Sequence, residues 1–261
     1  MTLEIRPPDP VALALSTRDN LGVGGLSPVP DILLMVESAG VHAFVAPLPD
    51  GGPQGAYALE QGEPFILINS RDAVVRMRFT LAHELGHHVL SHGVAWDQLI
   101  AAEPAAAKGQ DPREVAANRF AAELLAPLSA ARAWWYRQGA DTVTLGHIVR
   151  FAAAFGVSAT VALLRLAAAG LLRPPRSLHQ LQRAIEQGEH LELRRDLLLD
   201  PFADTLAHVG RGGTRLPQDM RENLLQAWRG DLLDLERVAA RLRTTPDALE
   251  HDLAVASEGD A

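Results

Sequence analysis

The sequence predicts an α+β fold: a small antiparallel sheet packed on a helical body, followed by an all-helical C-terminal region. Three observations predict it. Short apolar runs bounded by glycine and proline occur before residue 70. Beyond it, apolar residues recur at helical spacing almost to the end of the chain. Finally, 261 residues, 48% of them hydrophobic and 21% charged, suffice to bury the core of one to two domains.

Residues 10–21 read as a short helix stopped by Gly22 and Gly24-Gly25, and Pro30-Asp31 starts a second over 31–38, ended by Gly40. Residues 41–45 are strand-like. After the turn at Asp50-Gly51-Gly52-Pro53, residues 56–60 and 64–68 read as two strands across Gln61-Gly62. Ser70 is a suitable N-cap for a long helix over 71–91, in which Asp72, Val75, Arg78, Leu81 and Leu85 mark polar and apolar faces. A loop over 101–112 leads to a helix at 114–125, stopped by Pro127 and resumed over 128–138. Helices at 144–155 and 158–169 form a pair across Gly156. Pro174-Pro175 is the expected boundary, dividing a first domain, 9–173, from a helical second, 176–256. Residues 257–261 are expected to be disordered.

Composition narrows the function. With no cysteine there is no disulfide and no thiolate metal site, so a metal must be held by His, Asp or Glu. The net charge of -8 speaks against non-specific nucleic-acid binding, which depends on cationic surface. The N-terminal residues lack a signal-peptide pattern, and the most apolar stretch, 151–172, is interrupted by Arg165. A cytoplasmic protein without a membrane span is the expectation.

The segment His83-Glu84-Leu85-Gly86-His87 carries the chemistry. Histidines four apart on a helix share a face and can share one metal ion, and imidazole is a good zinc ligand. Glu84, beside the first, is placed to take a proton from water rather than to bind the metal. Catalytic zinc takes three protein ligands, so one more is needed. The helix at 114–125 offers Glu114, with Glu123 as the competitor, while Asn118, one turn beyond Glu114, could orient a ligand. His88 and His92 extend the histidine cluster, and His88 could pair with Glu84 four residues earlier. Tyr136 and His42 are the candidates for stabilising an oxyanion, and Trp134-Trp135-Tyr136 reads as packing more readily than as a substrate groove.

Arg78-Phe79-Thr80-Leu81-Ala82-His83-Glu84-Leu85-Gly86-His87, with Glu114-x-x-Ala117-Asn118-x-Phe120-Ala121-Ala122-Glu123-Leu124-Leu125-x-Pro127 downstream, resembles the ImmA/IrrE metallopeptidases. Phe155-Gly156-Val157-Ser158 and Arg165-Leu166 match the helix pair that follows in that family, and the resemblance runs from about residue 9 to 172. It implies His83, His87 and Glu114 as ligands of Zn2+, with Mn2+ the alternative, and Glu84 as the catalytic base. It also implies a protein substrate, a helix-turn-helix repressor encoded nearby, cut to relieve repression in a stress response, mobile element or toxin-antitoxin locus. In such peptidases the substrate lies extended along a sheet edge, for which 56–60 is the expected strand. The alternative is a catalytically silent metal-binding regulatory module that binds a repressor or toxin-antitoxin partner without cutting it. The helix pair around Gly156 resembles a helix-turn-helix, but its second helix offers little beyond Arg165 to base edges, so no direct nucleic-acid contact is expected. The helices between 231 and 249 read as a solvated surface or a docking module for a protein partner.

Overall fold

The computed structural model describes residues 8–92, 95–96, 111–172, 176–230, 232–242 and 244–250. The loop expected at 101–112, except its last two residues, the boundary at Pro174-Pro175 and the tail at 257–261 lie outside these. The fold is α+β. Helix α1 (Pro10–Asn20) starts with proline in its first turn, after Asp9, whose side chain accepts from Val11 N–H at 3.0 Å. Helix α2 (Ile32–Ser38) is capped likewise by Asp31, which takes the N–H groups of Leu33 and Leu34.

Strands β1 (His42–Ala46), β2 (Gly55–Glu60) and β3 (Glu63–Asn69) follow. The period of two buries Ala43 and Val45 in β1 and Ile66 and Ile68 in β3. Gln61 and Gly62 both have positive φ, as a two-residue hairpin turn between twisted strands requires. The sheet is mixed rather than antiparallel. A two-residue strand β4 (Ala95–Trp96) completes the order β1-β3-β2-β4, with β1 parallel to β3 and the other pairs antiparallel. The hairpin forces β2 and β3 together, and β3 lies against β1, so β2 is one place removed from the strand that precedes it. The expected edge is also displaced: β4 lies outside β2, with Ala56 opposite Trp96 and Tyr57 opposite Ala95.

Helix α3 (Val74–Val89) runs across this sheet. It starts later than expected, and Ser70 is not its cap. Asn69 instead takes the N–H groups of Leu48 and Arg71 in a turn, and the N-cap position falls to Ala73. Nor does α3 have the expected polar face. Met77, Arg78 and every residue from Thr80 to His87 are buried, because helices cover what the sheet does not. Helix α4 (Pro112–Leu125) crosses α3 where Gly86 meets Ala117. A Cβ on Gly86 would lie 3.3 Å from Ala117 Cα and 3.1 Å from the Phe120 ring. Gly86→Val should therefore wedge the two helices apart, destabilising the protein by about 1–3 kcal/mol, readable as a lower urea midpoint.

Helices α5 (Leu128–Gln138), α6 (Leu145–Phe155) and α7 (Ala159–Ala168) complete the body. The pair α6–α7 bends by 105° at Gly156. Among the described residues no single helix is long and apolar enough to cross a membrane. Arg165 of α7 is turned inward, donating to Ala126 C=O at 2.6 Å and pairing with Glu123.

Helices α8 (Arg176–Glu186), α9 (Glu189–Asp196) and α10 (Thr205–Val209) lie against this body, and Ile185 and Leu206 enter its core. Arg215 then bridges β1 through two backbone hydrogen bonds with Val45 and pairs with Glu37 at 2.6 Å. Helices α11 (Gln218–Arg229) and α12 (Leu235–Leu242) bury a separate small cluster: Val238, Ala239 and Leu249, with Leu224, Leu225 and Trp228 against it.

Candidate metal centre

His83 and His87 sit one turn apart on the buried stretch of α3, and Glu114 reaches them from the first turn of α4. The Nε2 atoms of the two imidazoles are 3.0 Å apart. Glu114 Oε2 lies 3.2 Å from His83 Nε2, and its Oε1 lies 3.3 Å from His87 Nε2. One donor atom from each residue falls within 4.8 Å of the others, so the group could hold a metal ion. Two imidazole nitrogens and one carboxylate oxygen are a donor set that suits zinc. The histidines are buried, whereas the Glu114 side chain is 31% exposed, so α4 forms the open side of the centre.

The α3–α4 crossing explains how residues so far apart in sequence meet. Gly86 lies one position before His87, and Ala117 lies one turn after Glu114. The small pair lets the backbones approach until the Glu114 carboxylate reaches both rings.

Asn118, one turn beyond Glu114, holds the first ligand. Its Oδ1 lies 3.0 Å from His83 Nδ1, and an amide oxygen only accepts, so Nδ1 carries the proton and Nε2 keeps its lone pair for a metal. Asn118→Ala should weaken Zn(II) binding by about 10–100-fold, measured by competition with a chromophoric chelator.

Glu84 is fully buried against the start of β2. A methyl group on Gly55 would stand 2.8 Å from Glu84 Oε1 and 2.5 Å from Thr80 Cγ2. Only glycine lets the sheet come this close to α3 here. Sequence reading passed over Gly55 because it follows Gly51-Gly52-Pro53-Gln54 and looks like one more turn residue.

The remaining candidates lie elsewhere. Glu123 is not drawn into the metal group. One of its oxygens pairs with Arg165 and the other accepts from Leu128 N–H at 3.2 Å, fixing the start of α5. His88 turns toward the sheet, where its Nδ1 is 3.0 Å from the Tyr57 hydroxyl. Burial lowers the pKa of His88 and raises that of Tyr57, which favours the neutral form of each. Tyr136 is 80% exposed on α5, while Trp134 packs edge-on to Phe151 and Trp135 edge-on to His147. His42 belongs to β1, two places from β2, and its Nδ1 is 3.2 Å from Asp219 of α11.

Arg78 is a structural residue whose role sequence reading missed, naming it only among the residues that mark the faces of the helix. Five residues before His83, it is fully buried. It donates to Gly156 C=O at 3.0 Å and Val29 C=O at 2.8 Å, pairs with Asp204, and stacks on Phe202 with 4.1 Å between guanidinium carbon and ring centroid. Burial lowers its pKa, and the Asp204 carboxylate opposes that shift.

The family model described as the IrrE N-terminal-like domain, peptidase M78, matches residues 36–167, just over half of the chain, and spans every residue of this centre. No curated protein matches the chain.

Proposed function

The chain belongs to the ImmA/IrrE family of M78 peptidases, and from that premise we propose that it is a zinc-dependent endopeptidase that cuts a helix-turn-helix repressor encoded beside it. The observation that carries the enzymatic reading is the joining of a complete three-residue donor set to a buried carboxylate, Glu84, on the helix that bears the two histidines. His83, His87 and Glu114 would hold the ion, which when bound supplies Lewis acidity toward the scissile carbonyl and the attacking water. Glu84 accepts the proton of that water and returns it to the leaving amine. The start of β2 lies against Glu84, and of the three metal-binding side chains only that of Glu114 is part-exposed, at 31%. A substrate strand added to the sheet on this side would meet β4 before β2.

The repressor as substrate rests on the family resemblance, as does the role in a stress response, mobile element or toxin-antitoxin locus. The inward Arg165 leaves α7 without its one base-reading side chain, which favours a protein substrate over DNA. The test is to incubate the zinc-loaded protein with the neighbouring repressor, with and without a chelator. One discrete cut, lost on chelation, is the expected result. An intact repressor that co-elutes with the protein would replace this reading with the silent binding module.

A further inference from the structure

Of the two imidazoles in the centre, His83 has a residue from another helix to set its tautomer. We infer that His92 does the same for His87: it is a positioning residue of the metal centre, folded back onto the second ligand by the C-terminal cap of α3. This inference rests on the metal-centre reading above.

The chain beyond α3 is closed by a pair of backbone bonds. Ser91 N–H donates to His88 C=O, and His92 N–H donates to His87 C=O, each at 3.0 Å. With Leu90 as the C-cap, these are the two bonds of a Schellman motif, in which the residue after the cap is left-handed. Here that residue is Ser91, with φ of 56°, where glycine is the usual choice. The motif brings the side chain two past the cap onto the one three before it, normally as an apolar contact. In this chain those two residues are His92 and His87.

The rings meet through nitrogen. His92 Nδ1 is 3.1 Å from His87 Nδ1, with centroids 5.1 Å apart and planes at 70°. His87 Nε2 faces His83 and Glu114, so a metal would be taken there and the His87 proton must sit on Nδ1. That proton then donates to His92 Nδ1, and His92 carries its own proton on Nε2. The backbone of His92 is tied in as well: Arg113, next to Glu114, donates to His92 C=O at 3.4 Å. One residue therefore connects the ring of the second ligand to the helix turn that carries the third. A left-handed non-glycine residue persists where its surroundings over-determine it, and the two backbone bonds of the cap do so at Ser91.

The test compares the full-length protein with His92→Leu, which removes the acceptor, and His92→Gln, which keeps an acceptor oxygen. Zn(II) affinity is read by chelator competition, and metal-free thermal unfolding is followed in parallel. His92→Leu should lose about 10–100-fold in affinity and His92→Gln should recover most of it, with the metal-free melting temperatures of the three proteins alike. Unchanged affinity in His92→Leu would overturn the inference alone. So would equal losses in both variants together with lower metal-free melting, which is the signature of a packing role. If the parent protein took up no Zn(II), the metal-centre reading would fall and this one with it.

Discussion

Glu84→Gln is expected to lower the rate of the proposed repressor cleavage by about 10²–10⁴-fold, the range for losing a positioned proton carrier, while Zn(II) affinity stays within a few-fold of the parent. The two readouts separate because Glu84 is not one of the three residues whose donor atoms converge. Glutamine matches glutamate in shape, so Gly55 and Thr80 keep their contacts with the side chain, but its amide cannot take a proton from water. The site is fully buried, and exchanging a carboxylate for a neutral amide adds no desolvation penalty. The metal-free melting temperature should therefore move by no more than about 4 °C, equivalent to about 1 kcal/mol at this size. Single-turnover cleavage, chelator competition and thermal unfolding on one preparation check all three expectations. Full cleavage by Glu84→Gln would remove Glu84 from the base role. Lost zinc binding would make it a metal residue instead.

The ligands on α3 were legible in the sequence because their relation is local: four residues along a helix is one turn, whatever the rest of the chain does. Glu114 needed the family resemblance for its choice over Glu123, since both lie on one helix at distances a loop could span. The structure separates them by giving Glu123 to Arg165. What was not legible is non-local. The order of the strands depends on which neighbour each one meets, and the spacing of apolar residues is the same in a parallel and an antiparallel pair. The burial of Arg78 was not legible because its acceptors are backbone carbonyls at Gly156 and Val29 and a carboxylate at Asp204, none of them nearby in sequence. Gly55 and His92 show a subtler limit. Each matters through the group it is pressed against, and a sequence shows a glycine or a histidine without showing what faces it.

Asp204→Ala should destabilise the protein by about 3–5 kcal/mol, because it strands a buried guanidinium without its counter-charge. Both side chains of the Arg78–Asp204 pair are 0% exposed, so water cannot replace the lost carboxylate. The two carbonyl partners of Arg78 and the face of Phe202 remain, but none carries a full charge. Asp204 also caps α10 through Ala207 N–H at 2.9 Å, which adds about 1 kcal/mol to the loss. A double variant, Arg78→Met with Asp204→Leu, should be less destabilised than Asp204→Ala alone, since it removes the charge along with its partner. Urea unfolding of the three proteins checks the order, and equal midpoints for Asp204→Ala and the parent would show that the pair contributes nothing. The consequence for the peptidase is larger than one ion pair. A chain ended at residue 175 keeps all of the family match, 36–167, and each metal ligand, yet it loses Phe202, Asp204, Leu206 and Arg215 together. That truncation opens the core at Leu206, bares the outer edge of β1 and strips Arg78, on the helix that carries His83, of its paired carboxylate and its stacked ring. It should fail to bind Zn(II) because α3 no longer has a stable place to sit, although no ligand has been touched.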